Sequence, residues 1–490
     1  MADLTESELL ASVPTRLFIG GDWVDAEGGA TFDVIDPSTG SVIASIADAS
    51  AADGIRALDA AVAAQDSWAA TAPRQRGEIL RRAFDLLQTR KHDVALLMTL
   101  EMGKPLAEAL GEVAYGGEFL RWFSEEAVRI TGRYGVNPEG TGRMIVSQHP
   151  VGPSYFITPW NFPLAMATRK IAPALAAGCT VVVKPAQLTP MTTMFVVRLL
   201  EEAGLPKGVV NVVTTSSSSA VSGPIIADPR LRKLSFTGST EVGRKLIAQS
   251  AQGILRTSME LGGNAPFVVF EDADLDKAVE GALAAKFRNI GQACTAANRF
   301  IVHESVAEEF AARVTERVAA MRIGRGTEDG VQIGPLIDED AVAKVEALVR
   351  DAVERGARLA AGGSRVDRAG TFYEPTVVID VVPGSEILRQ EIFGPVVSIV
   401  RFADENEAVR IANDTEYGLV AYVYTRDLAR GQRMIERLKT GMMGLNMGVI
   451  SNAAAPFGGV KQSGIGREGG FEGIHEYLDT KYTLTPDPFA

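Results

Sequence analysis

The amino-acid sequence predicts an α/β protein with two domains, each built on a mostly parallel sheet. One region that starts at residue 151 and another that follows Glu260 both alternate short apolar runs with longer segments of helical periodicity. Strands that alternate with helices form parallel sheets with right-handed crossovers. Such sheets bind ligands at the carboxyl ends of their strands. A length of 490 residues suits about three domains of ordinary size, so a smaller third unit is also expected.

Composition and charge argue against several classes of protein. The 49 basic and 61 acidic side chains give a net charge of −12, which disfavours nucleic acid and anionic membranes as partners. No apolar run reaches the ~20 residues that span a bilayer. The N-terminus lacks the pattern of a signal peptide, and two cysteines suit a reducing compartment. We therefore predict a cytoplasmic protein without a metal site, in which local arginines bind any anionic substrate.

The chain before residue 151 differs from the rest. Residues 17–50 alternate short apolar runs with Gly, Asp and Pro, which predicts short antiparallel strands. Residues 51–130 are rich in Ala, Leu, Glu and Arg with apolar spacing near 3.6, which predicts several helices. Residues 133–150 are predicted to be extended, as a hairpin arm.

The two alternating regions provide most of the predicted elements. In the first region we predict strands at 152–158, 180–184, 209–213 and 233–237, a helix ending at Ala177, and a helix at 191–203. In the second we predict strands at 265–270, 299–302, 374–382 and 396–402, and helices at 274–287, 304–322, 339–355 and 404–413. The glycine-rich residues 441–471 and the run Ser216–Ser219 are predicted to be loops.

Cys294 is the candidate nucleophile. It lies among small residues after Gly291 and Gln292, and a helix or loop terminus there would offer backbone N–H groups that favour the thiolate. A buried cysteine that behaves as a small hydrophobic residue is an equally good interpretation of this segment alone. The other cysteine, Cys179, lies in an apolar stretch and is predicted to be part of the core.

Two segments are candidates for binding a dinucleotide. Gly238, Ser239 and Gly243 follow a predicted strand and open a helix, whose N-terminus could bind a pyrophosphate. Their spacing is not the usual G-x-G-x-x-G, and an ordinary strand-to-helix turn fits as well. Lys184 ends a buried strand and could bind a ribose or a phosphate there, or could simply be solvated.

Two polar residues complete a possible reaction centre. Glu260 precedes a Gly-Gly pair and could be a general base or a surface carboxylate. Asn161 lies between Trp160 and Phe162 and could donate to an oxyanion or form an Asx-turn. Taken together with a thiol and a dinucleotide site, they suit the oxidation of an aldehyde through a hemithioacetal and a thioester, which water then hydrolyses.

The motifs resemble, in order along the chain, those of the aldehyde dehydrogenase superfamily. The matching segments are Asn161, Lys184, Phe236–Gly243, Glu260–Gly263, Gly291–Cys294, Glu391–Pro395 and Pro456–Gly459. The resemblance spans about residues 17–483. It implies an NAD(P)-binding domain (1–130 and 151–258), a catalytic domain (259–440) with active-site loops (441–471), and an oligomerisation arm (131–150 and 472–490). It also implies a homodimer or homotetramer.

The resemblance also implies roles for individual residues. Cys294 is expected to be the nucleophile, Glu260 the general base, and Asn161 with the Cys294 N–H the oxyanion hole. The expected cofactor-binding residues are Trp160, Lys184, Gln187, Gly238, Ser239, Gly243, Leu261, Glu391 and Phe393.

Within the superfamily, the chain is most similar to the succinate-semialdehyde dehydrogenases. The segments that carry this similarity are Trp160–Lys170, Phe287–Asn289 and Ile450 to Gly469. The similarity implies that Arg169, Arg288 and Ser451 bind the distal carboxylate of the substrate, although Arg288 could instead belong to a structural ion pair. Glutarate semialdehyde, 2-oxoglutarate semialdehyde or a broad range of aldehydes remain alternatives.

Two positions depart from the pattern of many relatives. Ala296 replaces a second cysteine, so we predict no disulfide switch at the active site. Gln187 replaces a glutamate that would repel a 2′-phosphate, so we predict that both cofactors are used and that NADP is favoured over NAD. A non-catalytic relative and a CoA-acylating relative are the competing hypotheses, and the presence of Cys294, Glu260 and Asn161 argues against the first and Glu260 against the second.

Overall fold

Two large sheets organise the protein, as the sequence predicts. A computed structural model of the chain describes residues 4–489. Within them, one sheet has eight strands, another has seven, and two small sheets have three and two strands. No helix in this range is long and apolar enough to span a membrane.

The helices and strands have the following bounds. The helices are α1 (Glu6–Ser12), α2 (Ala51–Ala70), α3 (Pro73–Thr89), α4 (Lys91–Met102), α5 (Leu106–Glu126), α6 (Ala165–Ala177), α7 (Met191–Glu202), α8 (Ser218–Ala227), α9 (Thr240–Ser250), α10 (Leu275–Phe287), α11 (Glu304–Ala319), α12 (Glu339–Glu354), α13 (Glu405–Asn413), α14 (Leu428–Arg437) and α15 (Glu472–His475). The strands are β1 (Leu17–Ile19), β2 (Asp22–Val24), β3 (Thr31–Asp36), β4 (Ser41–Ala47), β5 (Arg133–Val136), β6 (Gly142–Pro150), β7 (Ser154–Ile157), β8 (Val181–Lys184), β9 (Val210–Val212), β10 (Lys233–Thr237), β11 (Arg256–Glu260), β12 (Ala265–Val269), β13 (Ala297–His303), β14 (Arg358–Ala361), β15 (Thr376–Ile379), β16 (Val396–Phe402), β17 (Val420–Tyr424), β18 (Met442–Leu445), β19 (Gly464–Ile465) and β20 (Leu478–Pro486).

The eight-stranded sheet has the order β19-β11-β10-β7-β8-β9-β1-β2. Its five central strands, β11, β10, β7, β8 and β9, are parallel to one another. At the two edges, β19 pairs antiparallel with β11, β1 with β9, and β2 with β1. Helix α6 follows β7 and is buried along its whole length, so its polar side chains lie inside the protein. The parallel strands end at one edge, where Lys184 and Glu260 are the last residues of β8 and β11.

The seven-stranded sheet has the order β14-β15-β16-β13-β12-β17-β18, and β14 alone among these strands is antiparallel to its neighbour. The chain passes from β11 in the first sheet to β12 in the second through Leu261–Asn264. Glu260 therefore lies where the two sheets meet. Cys294 lies just before β13, at the amino end of this strand.

The predicted hairpin arm is a three-stranded antiparallel sheet. Strands β5 and β6 form the hairpin, and β20 pairs with β6 along nine residues. Tyr482 and Leu484 alternate along β20 and are more than half exposed. The arm thus carries apolar side chains into solvent, which marks a candidate contact surface.

Several segments differ in detail from the sequence expectations. The predicted domain boundary between 258 and 259 lies within β11, whose Glu260 pairs with Thr237 of β10. The predicted loops at 441–471 include β18 and β19, which are too short and glycine-rich to show a strand pattern. The predicted loop Ser216–Ser219 is exposed, but its last two residues open α8.

Candidate active site

A cavity of about 360 Å³ lies where the two sheets meet. It brings together most residues that the sequence singled out, from positions as far apart in the chain as Trp160 and Ser451. The predicted residues that line it are Trp160, Asn161, Arg169, Gly238, Ser239, Leu261, Arg288, Cys294, Glu391, Phe393 and Ser451. Glu260, Lys184, Gln187 and Gly243 do not line it.

The backbone before Cys294 is bent by left-handed residues. Asn289, Ile290 and Gly291 have φ values of 55°, 61° and 73°, an unusual run that persists only where the surroundings impose it. The carbonyl of Cys294 packs against Gly263, where a Cβ would lie 2.3 Å from the carbonyl oxygen. Within residues 4–489, no protein acceptor is bonded to the Cys294 N–H, so this donor is free to bind a ligand.

The environment of Cys294 favours the thiol. Burial raises the pKa of Cys294 to about 12, although the charges of Arg169 and Arg288 act in the opposite direction. The segment before the cysteine is a short 3-10 turn (Arg288–Gly291), so Cys294 does not lie at the N-terminus of a helix. The terminus before Cys294 is therefore a loop rather than a helix, and desolvation outweighs the nearby positive charges in its effect on the pKa of Cys294.

Asn161 is anchored to the segment that carries Cys294. Its Nδ2 donates to the carbonyl of Gln292 at 2.9 Å. Its own carbonyl accepts from Lys104 Nζ at 2.8 Å and from Asn289 Nδ2 at 3.0 Å. An Asx-turn within its own loop is not what holds this side chain. A primary amide has two N–H donors, so one remains for a ligand in the cavity.

Glu260 is a buried carboxyl group rather than a surface one. Its Oε2 has no hydrogen-bond partner among the described residues. Burial, and then the negative charge of Glu468, raise the pKa of Glu260 well above its ordinary value, although Arg169 and Lys170 oppose this. A carboxyl with a raised pKa suits proton transfer near neutral pH.

Arg288 and Ser451 form a polar pair in the wall of the cavity. Arg288 Nη1 donates to Ser451 Oγ at 3.0 Å. The guanidinium lies 5.2 Å and 5.6 Å from the ring centres of Phe162 and Tyr115. No ion pair among residues 4–489 includes Arg288, so the alternative of a structural ion pair finds no support.

Arg169 lines the same cavity but has a counter-ion. Its Nε lies 2.5 Å from Glu468 Oε2, and its guanidinium lies 4.1 Å from the ring centre of Phe457. Glu468 also pairs with Lys170. Burial would raise the pKa of Glu468, but the charges of Lys170 and Arg169 lower it below the ordinary value. Arg169 Nη1 has no partner in the described structure.

The wall of the cavity near Gly238 and Ser239 suits a phosphate group. Ser239 caps α9 by accepting from Val242 N at 3.4 Å, so the cavity-lining Gly238 and Ser239 lie at a helix N-terminus. The buried hydroxyl of Thr237 also lines the cavity and has no partner among the described residues. An unpartnered hydroxyl next to a helix N-terminus suits a phosphate-bearing ligand. Gly243 makes room for Leu261, since a Cβ there would lie 2.4 Å from Leu261 Cδ2.

Of the remaining predicted cofactor residues, Trp160, Glu391 and Phe393 line the cavity, whereas Lys184 and Gln187 do not. Lys184 Nζ donates to the carbonyl of Pro185 at 3.0 Å, and burial lowers the pKa of Lys184 to about 8. Glu391 Oε1 accepts from Gly263 N at 3.2 Å, and burial raises the pKa of Glu391 to about 7. The rings of Trp160 and Phe393 meet edge to face at 5.4 Å.

Comparison with known proteins identifies the family. The model of the aldehyde dehydrogenase family matches residues 23–483. The chain belongs to the aldehyde dehydrogenase family. It is similar to a succinate-semialdehyde dehydrogenase of Paenarthrobacter nicotinovorans, with 61% identity covering 91% of this chain and 100% of the relative. It is also 51% identical to a glutarate-semialdehyde dehydrogenase of Pseudomonas aeruginosa, covering 95% and 96% of the two chains.

The fold of a solved relative agrees with this assignment. The crystal structure of an E. coli NADP-dependent enzyme matches with a TM-score of 0.97 and 48% identity, covering 99% of this chain and 100% of that one. This aldehyde dehydrogenase therefore has the α/β fold predicted from its sequence. Its family uses a nicotinamide cofactor and oxidises aldehydes.

Ala296 of this aldehyde dehydrogenase is buried in an apolar cluster with Phe162 and Met166.

The structure also adds residues that sequence reasoning missed. Glu468 lies in a segment that carries the resemblance. Its partner Lys170 lies 298 positions away in the chain, so no local sequence pattern indicated that the two residues pair. Lys104 and Glu112 were also missed. Their contacts with the segment from Asn161 to Ala165 depend on the packing of α5 against α6, which no local pattern indicates.

Proposed function

We propose that this aldehyde dehydrogenase oxidises succinate semialdehyde to succinate with NADP or NAD. The observation that carries the substrate assignment is Arg288, a cavity-lining guanidinium bonded to Ser451 and free of any described carboxylate partner. A planar guanidinium with a neighbouring hydroxyl suits a carboxylate. The similarity to a succinate-semialdehyde dehydrogenase at 61% identity supports the same substrate.

The reaction assigns one role to each candidate residue. Cys294 gives its thiol proton to solvent, and its sulfur forms a C–S bond to the aldehyde carbon while the C=O π electrons move to the oxygen, which gives the anion of a hemithioacetal. Asn161 Nδ2 and the Cys294 N–H donate to the oxygen of this adduct. Loss of a hydride from the adduct carbon leaves a thioester on Cys294, and a nicotinamide, when bound, would be the acceptor of that hydride. Glu260 then takes a proton from the water that attacks the thioester, and the C–S bond breaks to release the acid.

The carboxylate subsite separates the proposed substrate from the alternatives. Arg288 and Ser451 bind the distal carboxylate, and Arg169 contributes its unpartnered Nη1. Glutarate semialdehyde is the second candidate, because the 51% identical P. aeruginosa relative carries that name. One extra methylene changes discrimination by only about 10- to 200-fold, so the two substrates must be compared directly.

NADP is the favoured cofactor in this proposal. Gln187 is exposed near Lys184 and carries no negative charge, so it does not repel a 2′-phosphate. The similar E. coli enzyme of known structure is described as NADP-dependent. Glu391, Trp160 and Phe393 are proposed to contact the nicotinamide end of either cofactor.

The segments 1–130 and 151–258 are proposed to bind the cofactor, and 259–440 with loops 441–471 to provide the catalytic part. The arm formed by 131–150 and 472–490 is proposed to mediate a homodimer or homotetramer. Both cysteines are free, which agrees with the cytoplasmic location we propose.

The decisive experiment follows NAD(P)H formation by absorbance. The purified enzyme is given succinate semialdehyde, glutarate semialdehyde and propanal, each with NADP and with NAD. We expect kcat/KM for succinate semialdehyde to exceed that for propanal by about a hundredfold, the usual effect of a buried arginine–carboxylate contact. Equal kcat/KM values for all three aldehydes would contradict the proposed carboxylate subsite.

A further inference from the structure

A buried ion pair outside the reaction centre contacts the loop that carries Asn161. Lys104 lies in the turn between α4 and α5, and Glu112 lies in α5. Both side chains are about 1% exposed, and Lys104 Nζ donates to Glu112 Oε2. None of the proposed chemical steps uses either residue. An ion pair buried this deeply adds little net stability over apolar side chains, so its contacts point to another role.

The pair contacts both ends of the segment from Asn161 to Ala165. At the first end, Lys104 Nζ donates to the Asn161 carbonyl at 2.8 Å. At the other end, Glu112 Oε1 accepts from Leu164 N at 3.0 Å and from Ala165 N at 3.1 Å. These two N–H groups open α6 and have no partner within that helix. Lys104 Nζ also lies 4.3 Å from the ring centre of Phe162, between the two ends.

A second set of bonds connects this segment to the cysteine. Asn289 Nδ2 donates both to the Asn161 carbonyl, at 3.0 Å, and to the Gln292 carbonyl, at 2.9 Å. Asn161 Nδ2 donates to the same Gln292 carbonyl at 2.9 Å. The Asn161 carbonyl therefore receives one bond from the ion pair and one from the Cys294 segment. The position of Asn161 depends on both.

We propose that Lys104 and Glu112 are positioning residues for the oxyanion hole. Together they fix the backbone of Asn161, so that its free amide N–H and the Cys294 N–H converge on one oxygen. The inference rests on the proposed function, since it assigns Asn161 to the same oxyanion hole. It adds two residues that act through Asn161 and touch neither substrate nor cofactor.

The test is a double-mutant cycle on kcat. One arm is the double variant Lys104→Met/Glu112→Gln, which removes both buried charges together and so leaves neither unpaired. The other arm is Asn161→Ala. When Asn161 is intact, we expect the Lys104→Met/Glu112→Gln variant to lower kcat by about 30-fold. A misplacement of ~1 Å in a catalytic group lowers the rate by up to about a hundredfold. In the Asn161→Ala background we expect a further loss of less than about threefold, since both changes act on one interaction.

Two further measurements separate positioning from a structural role. In the Lys104→Met/Glu112→Gln variant, the rate of Cys294 alkylation by iodoacetamide should change less than about threefold, because alkylation needs no oxyanion hole.

The matched control is Glu101→Gln. Glu101 is buried and accepts from Met191 N at 2.8 Å and Thr192 N at 2.9 Å at the start of α7, so it resembles Glu112 in contacts but makes no hydrogen bond to residues 161–165. We expect its kcat to stay within about twofold of wild type.

Each outcome has one meaning. Equal losses of kcat in both Asn161 backgrounds would overturn the proposal, and so would an unchanged kcat in the double variant. If the double variant fails to fold, Glu112→Gln alone, which keeps an acceptor for the two N–H groups, takes its place in the same cycle. The cycle uses the aldehyde that wild type turns over fastest. Failure of wild type with succinate semialdehyde would therefore contradict the proposed function without affecting this inference.

Discussion

At the scale of single residues, burial decides the chemistry of the site. Cys294, Glu260 and Glu391 are all held in their protonated forms more strongly than in water, because desolvation disfavours their charged forms. Most of the compensating charges belong to arginines and lysines on other elements, such as Arg169 and Lys170, which no local sequence window contains. The residue types could be predicted from the sequence, and their protonation could not.

The raised pKa of Cys294 predicts a pH dependence of its alkylation. A higher pKa stabilises the neutral thiol, so the reactive thiolate grows with pH over the whole range below the pKa. In the enzyme without ligands, the rate of iodoacetamide modification of Cys294 should rise by about tenfold per pH unit between about pH 7 and 9. Mass spectrometry of the modified peptide measures the rate. A plateau below pH 8 would contradict this expectation, and Cys294→Ala controls for reaction at the buried Cys179.

The absence of a carboxylate partner at Arg288 predicts a selective effect of its removal. Arg288→Gln should lower kcat/KM for succinate semialdehyde by about a hundredfold or more and change that for propanal by less than about threefold. Arg317→Gln is the matched control, since Arg317 is half exposed and already pairs with Glu280 at 2.5 Å. Equal losses with both aldehydes would mean that Arg288 has a structural role.

The neutral Gln187 predicts a change in cofactor preference. In Gln187→Glu, a carboxylate would repel a 2′-phosphate, so kcat/KM for NADP should fall by about tenfold or more while that for NAD stays level or rises. Steady-state kinetics with saturating aldehyde measures both values. A parallel change for the two cofactors would place Gln187 away from the 2′-phosphate. Higher salt should weaken the effect, because Gln187 is exposed.

At the scale of elements, the site depends on turns between strands and helices. The strongly periodic helices and the buried parallel strands could be predicted from the sequence, because their patterns are long. The strands β18 and β19 could not, since glycine-rich segments of four and two residues show no pattern. The turn from β11 to β12 brings Gly263 against the Cys294 carbonyl, which depends on the contact between two distant segments.

This close approach predicts the effect of a single methyl group. Gly263→Ala would place a Cβ 2.3 Å from the Cys294 carbonyl oxygen, so the backbone of one segment must move. We expect kcat to fall by about a hundredfold, since a shift of ~1 Å in the nucleophile has that effect. Gly111→Ala in α5 is the control, because its Cβ meets nothing within 4 Å, and it should keep activity and gain up to about 1 kcal/mol in stability. Near wild-type kcat in Gly263→Ala would contradict the expectation.

At the scale of the whole molecule, the exposed arm predicts an assembly. Tyr482 and Leu484 share one face of β20, opposite Val146 and Met144 of β6, and this face presents apolar side chains to solvent. Tyr482→Asp/Leu484→Asp should reduce the mass in solution to that of the monomer, as measured by light scattering after gel filtration, because buried charges destabilise an apolar interface. Val353→Asp, at an exposed apolar position of α12 outside the arm, is the control. An unchanged oligomeric mass in the double variant would contradict the role of this face.

The sequence by itself determined the family and the alternation of strands and helices, and it supplied the residues that we propose to react. These properties depend on local patterns and on residue types, which the order of amino acids carries directly. The tertiary structure decided the rest. It determined that Arg169 is paired with Glu468, that Arg288 has no acidic partner among the described residues, that burial raises the pKa of Cys294, and that Lys104 with Glu112 contacts the Asn161 loop. Each of these depends on burial and on contacts between distant segments, which exist only once the two sheets have packed together.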